Sequence, residues 1–189
     1  MPRIKQNDKR DRLVEAADKL IYEKTFHTTT LADIAKEAGV PLGNVYYYFK
    51  TKDAIMEAVI QKRAQEWQHL FSAWEQLSNP KERLVALINH TVGQADMMAQ
   101  FGCVVGSLCQ ELGKQGGTIS AGAAKLMHDI VKWAEKQFKA LGKETENSSR
   151  LAEYLVSGIQ GMTLLTLTFK EPGCMDRQRI NLENWLTSV

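Results

Sequence analysis

Cysteine is scarce in this 189-residue chain: only Cys103, Cys109 and Cys174 occur, with no CxxC pair. An odd count without that spacing argues against a secreted disulfide framework and against a zinc ribbon. Net charge is also nearly absent, +2 from 24 Lys+Arg and 22 Asp+Glu, so bulk polyelectrolyte character points to no partner. No long uninterrupted apolar run exists. The most apolar stretch, Leu151–Phe169, contains Glu153, Gln160 and two glycines, and reads as a buried helix rather than a membrane span. The start, MPRIKQNDKRDR, lacks an apolar core, so no signal peptide is expected. The four histidines are scattered without HxxxH or HExxH, and neither a Gly-rich phosphate loop nor a nucleophile elbow appears. No metal, no cofactor, no enzymatic activity and no membrane partner are expected. The default is a cytoplasmic protein with reduced thiols.

Proline is limited to Pro2, Pro41, Pro80 and Pro172, which leaves residues 42–79 and 81–171 free of it. Apolar residues at three- and four-residue spacing through those stretches mean helices, and no alternating β-branched run competes with them. The reading is all-α, with about nine helices. Leu13, Ala16, Ala17, Leu20 and Ile21 make the stripe of the first. Thr30 and Asp33 are spaced as a capping box for a short second helix through Ala38, with Gly39 placed to end it. Pro41 suits the opening of a third, Leu42–Phe49. Two short helices joined by a tight Gly-containing turn make a helix-turn-helix. Asn79-Pro80-Lys81-Glu82 restarts the chain into a fifth helix running to about Ala99.

The segment TTLADIAKEAGVPLGNVYYYFKTK, Thr29–Lys52, would lay its first helix across a backbone and its second in a major groove. Pro41, Leu42, Gly43, Asn44, Tyr46, Tyr47 and Tyr48 form the candidate reading surface, with Val45 and Phe49 facing inward. Gly43 would let backbone approach DNA, and the tyrosine hydroxyls donate to phosphates without adding charge. Three consecutive tyrosines point in three directions, so at least one is open to a role in core packing. Lys52 adds a charge-assisted contact, while Thr29 and Thr30 stand at the positive end of the second helix. Residues 1–52 carry a net charge of +3 and the remainder −1, which permits nucleic-acid contact without requiring it.

These residues resemble the N-terminal domain of the TetR-type (tetracycline-repressor-like) transcription regulators. The matching positions are Thr25-Phe26, Thr29-Thr30, Ile34-Ala35, Ala38-Gly39-Val40, Gly43, Tyr46-Tyr47-Tyr48-Phe49 and Lys52, over about 45 residues. Thr25 stands where the family usually has Gly. The resemblance implies a DNA-binding domain over 1–52 and an effector-binding and dimerisation domain over 53–189. It implies a homodimer on a palindromic operator of double-stranded DNA, most simply a repressor released by a small molecule. Two rivals remain: an architectural DNA-binding protein without effector, and a small helical enzyme with an incidental helix-turn-helix.

In the family the last two helices pair with their mates. Leu151, Leu155, Ile159, Met162, Leu165 and Phe169 share one face for that role, and Gly158 and Gly161 permit close approach. Phe101–Leu112 resembles a GC-containing helix start found in a subset of TetR-type regulators, some responsive to electrophiles or flavonoid-like molecules. Cys103 would sit at or just before the first turn of that helix, as an electrophile or oxidant sensor or as a small buried hydrophobe. Trp67, His90, Met97, Met98, Phe101, Trp133 and Phe138 are candidate lining residues for an unidentified small-molecule effector, although such spacing also suits a core. Cys174, in the turn before the last helix, is expected to be exposed.

Overall fold

A computed structural model describes residues 4–189, with side chains from residue 8 onward. Among these residues there are ten helices and no strand. They are α1 (Ile4–Glu23), α2 (Leu31–Ala38), α3 (Leu42–Tyr48), α4 (Lys52–Trp74) and α5 (Pro80–Val92). Then follow α6 (Ala95–Phe101), α7 (Val104–Gly113), α8 (Gly117–Ala140), α9 (Thr145–Phe169) and α10 (Gly173–Ser188). The one helix beyond the expected nine arises because the fifth breaks at Gly93-Gln94, where the Gly93 N–H closes on Asn89 O at 2.8 Å.

The helices gather into two compact units. One comprises the segment ending at Gln65 together with Leu108–Ala124, the other Glu66–Ser107 and Lys125–Val189.

In the first unit α2 packs on both α1 and α3. Leu13, Ala17, Ile34, Val45, Ile55, Met56 and Val59 are buried without remainder or nearly so, which confirms the apolar stripes of α1 and α2. The Thr30–Asp33 capping box is formed in both directions, and Gly39 ends α2 at φ 61°, ψ 37°. Its N–H and that of Val40 reach back to the last carbonyls of the helix, the satisfaction a left-handed cap provides. Arg12 on α1 donates to Ala38 O and Gly39 O, so the α2–α3 turn is held from outside as well.

In the second unit α9 packs against α6 and α10, and α10 against α5. Asn79 caps α5 through Oδ1, which accepts the Lys81 N–H at 2.9 Å, with Pro80 at the first position. Leu155, Ile159, Met162, Met175, Leu182 and Leu186 are buried along α9 and α10. Cys174 is also buried, against expectation, because α10 starts at Gly173 and turns its first residues inward.

Candidate nucleic-acid interface

Helix α3 is rooted on one side and exposed on the other. Val45 and Phe49 lie in the core, and the Arg10 guanidinium stands 5.2 Å over the Phe49 ring. On the outer side Leu42, Tyr46 and Tyr47 are exposed, Tyr47 by 66%. Pro41 and Gly43 are exposed too, and no atom lies within 4 Å of the place a Cβ on Gly43 would take. Asn44 and Tyr48 are half-buried, with the Tyr48 ring edge-on to Tyr47 at 5.0 Å. Lys50 Nζ donates to Tyr46 O at 2.8 Å, a cation placed on the carbonyl end of the helix.

Thr30 is exposed at the N-terminus of α2, its hydroxyl engaged with Asp33. The Thr30 hydroxyl and N–H hold the Asp33 carboxyl below the usual range. Thr29 requires a correction. Its side chain is fully buried and its hydroxyl donates to Thr25 O at 2.7 Å, so it is turned away from any phosphate. Lys52 is half-buried; its Nζ donates to His27 O at 3.1 Å and lies 4.4 Å over the Phe26 ring. Burial pushes the Lys52 ammonium below its ordinary value, while Glu111 and Asp53 pull it back.

The turn below Lys52 contains the one departure from the family pattern. Thr25 adopts φ 148°, on the side of the map where glycine is at home. Thr28 Oγ1 lies 2.9 Å from Thr25 Oγ1, and Thr29 bonds Thr25 O from both hydroxyl and amide. Glu111 on α7 completes the turn: its carboxylate accepts the Phe26 N–H at 3.0 Å and the His27 N–H at 2.8 Å. Neither Arg12 nor Glu111 carried a local signal, since each acts on backbone far along the chain.

Residues 13–59 match the family model for bacterial regulatory proteins, tetR family. The matched segment is the one that holds the helix-turn-helix, α2 and α3. The chain is 29% identical over 163 residues to an uncharacterized HTH-type transcriptional regulator in the lacX 3′ region of Lactococcus lactis, covering 82% of each. It is 26% identical to the HTH-type transcriptional repressor DhaR of a Mycobacterium species, over 95% of this chain and 89% of the other. A TetR transcriptional regulator from Legionella pneumophila has the same fold, with a TM-score of 0.84 and 19% identity over 93% of this chain and 95% of that one.

The remaining expected residues lie mostly in the second unit. Trp67, His90 and Trp133 come together, joined by Phe71 and Trp74, which sequence reasoning had not assigned to the site. Phe71 stacks on Trp133 at 4.9 Å, and both Trp67 and Trp74 meet His90 at 5.6 Å. Burial pushes the His90 imidazole below its ordinary value. Phe138 is fully buried beside Trp185, 6.1 Å away; Met98 is buried and Phe101 half-buried on α6, with Met97 exposed. Cys103 directly precedes α7, and its Sγ accepts the Gly106 N–H at 3.3 Å with Gln160 Nε2 at 3.5 Å.

The expected dimer face also needs correction. Leu155, Ile159 and Met162 are buried within their own chain, and a Cβ on Gly158 would meet Leu182 at 2.7 Å, so that glycine serves the α9–α10 packing. Leu151 is half-buried. The apolar residues that do face outward are Tyr154, Leu164, Leu165 and Phe169 on α9, with Ile180 on α10. Gly161 lies among them with open space above it. Helices α10 and α6 pack on the side of α9 that carries Leu155, Ile159 and Met162, while Leu165 and Phe169 of the expected face stay outward. Among the described residues no helix is long and apolar enough to cross a membrane, and no group of three His, Cys, Asp or Glu is placed to hold a metal.

Proposed function

We propose that this chain is a transcriptional repressor that binds a palindromic operator as a homodimer and leaves it when a small effector occupies the second unit. The observation that carries the reading is the two-sidedness of α3: Val45 and Phe49 buried, Leu42, Gly43, Tyr46 and Tyr47 exposed. A monomer gains nothing from leaving two tyrosines and a leucine on one short helix, whereas a major-groove reader needs them. Tyr46, Tyr47 and Tyr48 contact phosphates or base edges, Asn44 a base edge or phosphate, and Gly43 the backbone approach. Pro41 and Leu42 open the helix toward the groove, and Thr30 stands at the backbone beside α2. Lys52 uses one ammonium donor on His27 O and keeps its others for phosphate. We assign residues 1–52 to DNA reading and 53–189 to effector binding and dimerisation. Recognition helices in the dimer stand roughly 34–36 Å apart or a little more, to match successive grooves.

Two observations favour an effector site in the second unit. Trp133 Nε1–H is buried without a hydrogen-bond partner, a donor that a ligand acceptor would satisfy. Trp133 and Phe71 also floor a groove of about 280 Å³ rimmed by Gln68, Glu75, Lys132 and Lys136. Cys103 offers a second route to release. Two N–H donors converge on its half-buried sulfur, where an electrophile would form a thioether.

The test is selection of duplexes from a random pool by the full chain, followed by fluorescence anisotropy. A palindrome is enriched, Tyr47→Ala weakens binding to it without loss of fold, and Lys52→Ala also lowers the salt slope by about one. Failure to enrich any sequence ends the reading. Alkylation at Cys103 that leaves affinity unchanged removes the thiol route alone.

A further inference from the structure

The Glu111 carboxylate makes a two-pronged long-range contact with backbone in the first unit. It is 16% exposed and accepts two successive backbone N–H groups, Phe26 at 3.0 Å and His27 at 2.8 Å, from a segment 84–85 residues away. Two adjacent amides turned toward one anion form a concave nest, which favours a carboxylate strongly. The His27 ring lies on the same group, with Nε2 3.8 Å from Oε1, and Gln115 on the following turn also bonds that ring.

The turn thus held begins at Thr25, whose φ of 148° is strained for a residue with a Cβ and persists only where surroundings over-determine it. The same turn presents His27 O and the Phe26 ring, the two partners of Lys52 Nζ. A chain of contacts therefore runs from Glu111 through two backbone amides to one carbonyl and one ring, and from these to the ammonium.

We infer that Glu111 is a positioning residue of the DNA-reading head: it clamps the Thr25–Thr28 turn and thereby sets where Lys52 meets a phosphate. The inference rests on the DNA-binding reading and deepens it. The segment that carries Glu111, Leu108–Ala124, belongs to the same compact unit as the helix-turn-helix, so clamp and head form one body.

Electrostatics alone and positioning predict opposite signs. Glu111 is an anion near a cation that contacts DNA, so removing its charge without moving anything tightens binding. If it positions Lys52, removing it weakens binding and withdraws one phosphate contact.

The experiment measures anisotropy of a duplex that the wild-type full chain has selected from random DNA, across a salt series, for Glu111→Gln, Glu111→Ala and Thr25→Gly/Glu111→Ala. Glu111→Ala weakens affinity roughly ten-fold and lowers the salt slope by about one, with Glu111→Gln intermediate. Glycine adopts the Thr25 conformation without strain, so Thr25→Gly restores much of the affinity and the slope to the Glu111→Ala chain. Amide exchange at Phe26 and His27 accelerates in Glu111→Ala and slows again in the double variant. Binding by either single variant that equals or exceeds wild type overturns the inference. So does a loss with unchanged slope and no rescue, which marks general damage. If the wild-type chain selects no duplex, the DNA-binding reading falls and the inference with it; a selected duplex that Glu111 variants bind normally sinks only the inference.

Discussion

Asp18 on α1 and Arg63 on α4 form a buried ion pair, their side chains 15% and 7% exposed, with Lys62 Nζ adding a 2.9 Å contact to the second carboxylate oxygen. Arg63 Nε is buried without a hydrogen-bond partner, and the guanidinium pairs with Asp18 through Nη2. Asp18→Ala leaves a cation uncompensated in the core and costs about 3–5 kcal/mol of stability, whereas paired removal in Asp18→Leu/Arg63→Met costs far less. Urea unfolding of the three chains checks this. Equal losses in single and double variants would show the pair to be incidental.

Gly43 separates stability from recognition. Nothing lies within 4 Å of its missing Cβ, so Gly43→Ala fits without strain and strengthens α3 by up to about 1 kcal/mol. Close backbone approach to DNA is lost at the same time. The variant is therefore expected to melt higher and bind the selected duplex more weakly, by thermal denaturation and anisotropy on one preparation. Higher melting with unchanged affinity would remove Gly43 from the interface. Gly39→Ala behaves oppositely: at φ 61°, with Arg12 Nη2 2.9 Å from the new Cβ, it loses about 1–2 kcal/mol.

Leu164, Leu165 and Phe169 cluster outward at the end of α9, with Tyr154 exposed further back, apolar surface that a partner would cover. The wild-type chain is expected to sediment as a dimer and Leu165→Glu/Phe169→Glu as a folded monomer. Because Leu155, Ile159 and Met162 are already buried, Ile159→Glu should instead unfold the second unit. A dimer that survives the surface pair places the interface elsewhere.

His90 links acidity to stability. Burial among Trp67 and Trp74 lowers its folded value below the unfolded one near 6.5. Between those two values the unfolded chain binds more protons, so stability rises with pH there. Acidification from pH 7 through 6.5 and downward is expected to lower the melting midpoint, and His90→Gln should flatten that part of the curve. No difference between the two chains on acidification would count against a neutral, desolvated imidazole.

Periodicity and capping chemistry act within a few residues, and what they govern was readable from the chain. The α1 and α2 stripes, the Thr30–Asp33 box, the Gly39 cap and the Asn79-Pro80 restart all appear as their spacing implies. The exposed side of α3 was legible for the same reason: Val45 and Phe49 are four residues apart, so they fix what faces outward. Thr29 was misjudged because a hydroxyl beside a helix start looks alike whether it faces water or the carbonyl of Thr25. The outward face of α9 was legible in part: Leu165 and Phe169 are exposed, but spacing alone does not tell that the chain's own helices cover Leu155, Ile159 and Met162. Arg12 and Glu111 were invisible for a deeper reason. Each serves backbone groups, and backbone groups leave no mark in the order of side chains.

The clamp on the Phe26 and His27 amides bears on how the DNA-reading head is cut for use elsewhere. A fragment ending at Gln65 carries the whole helix-turn-helix but leaves behind Leu108–Ala124, which folds with it. A fusion joining that fragment to a foreign ligand-sensing module would inherit the strained Thr25 turn with its two amides unanswered. The transplantable piece is discontinuous in sequence, and a graft that swaps sensors must carry Glu111 across or begin from glycine at position 25.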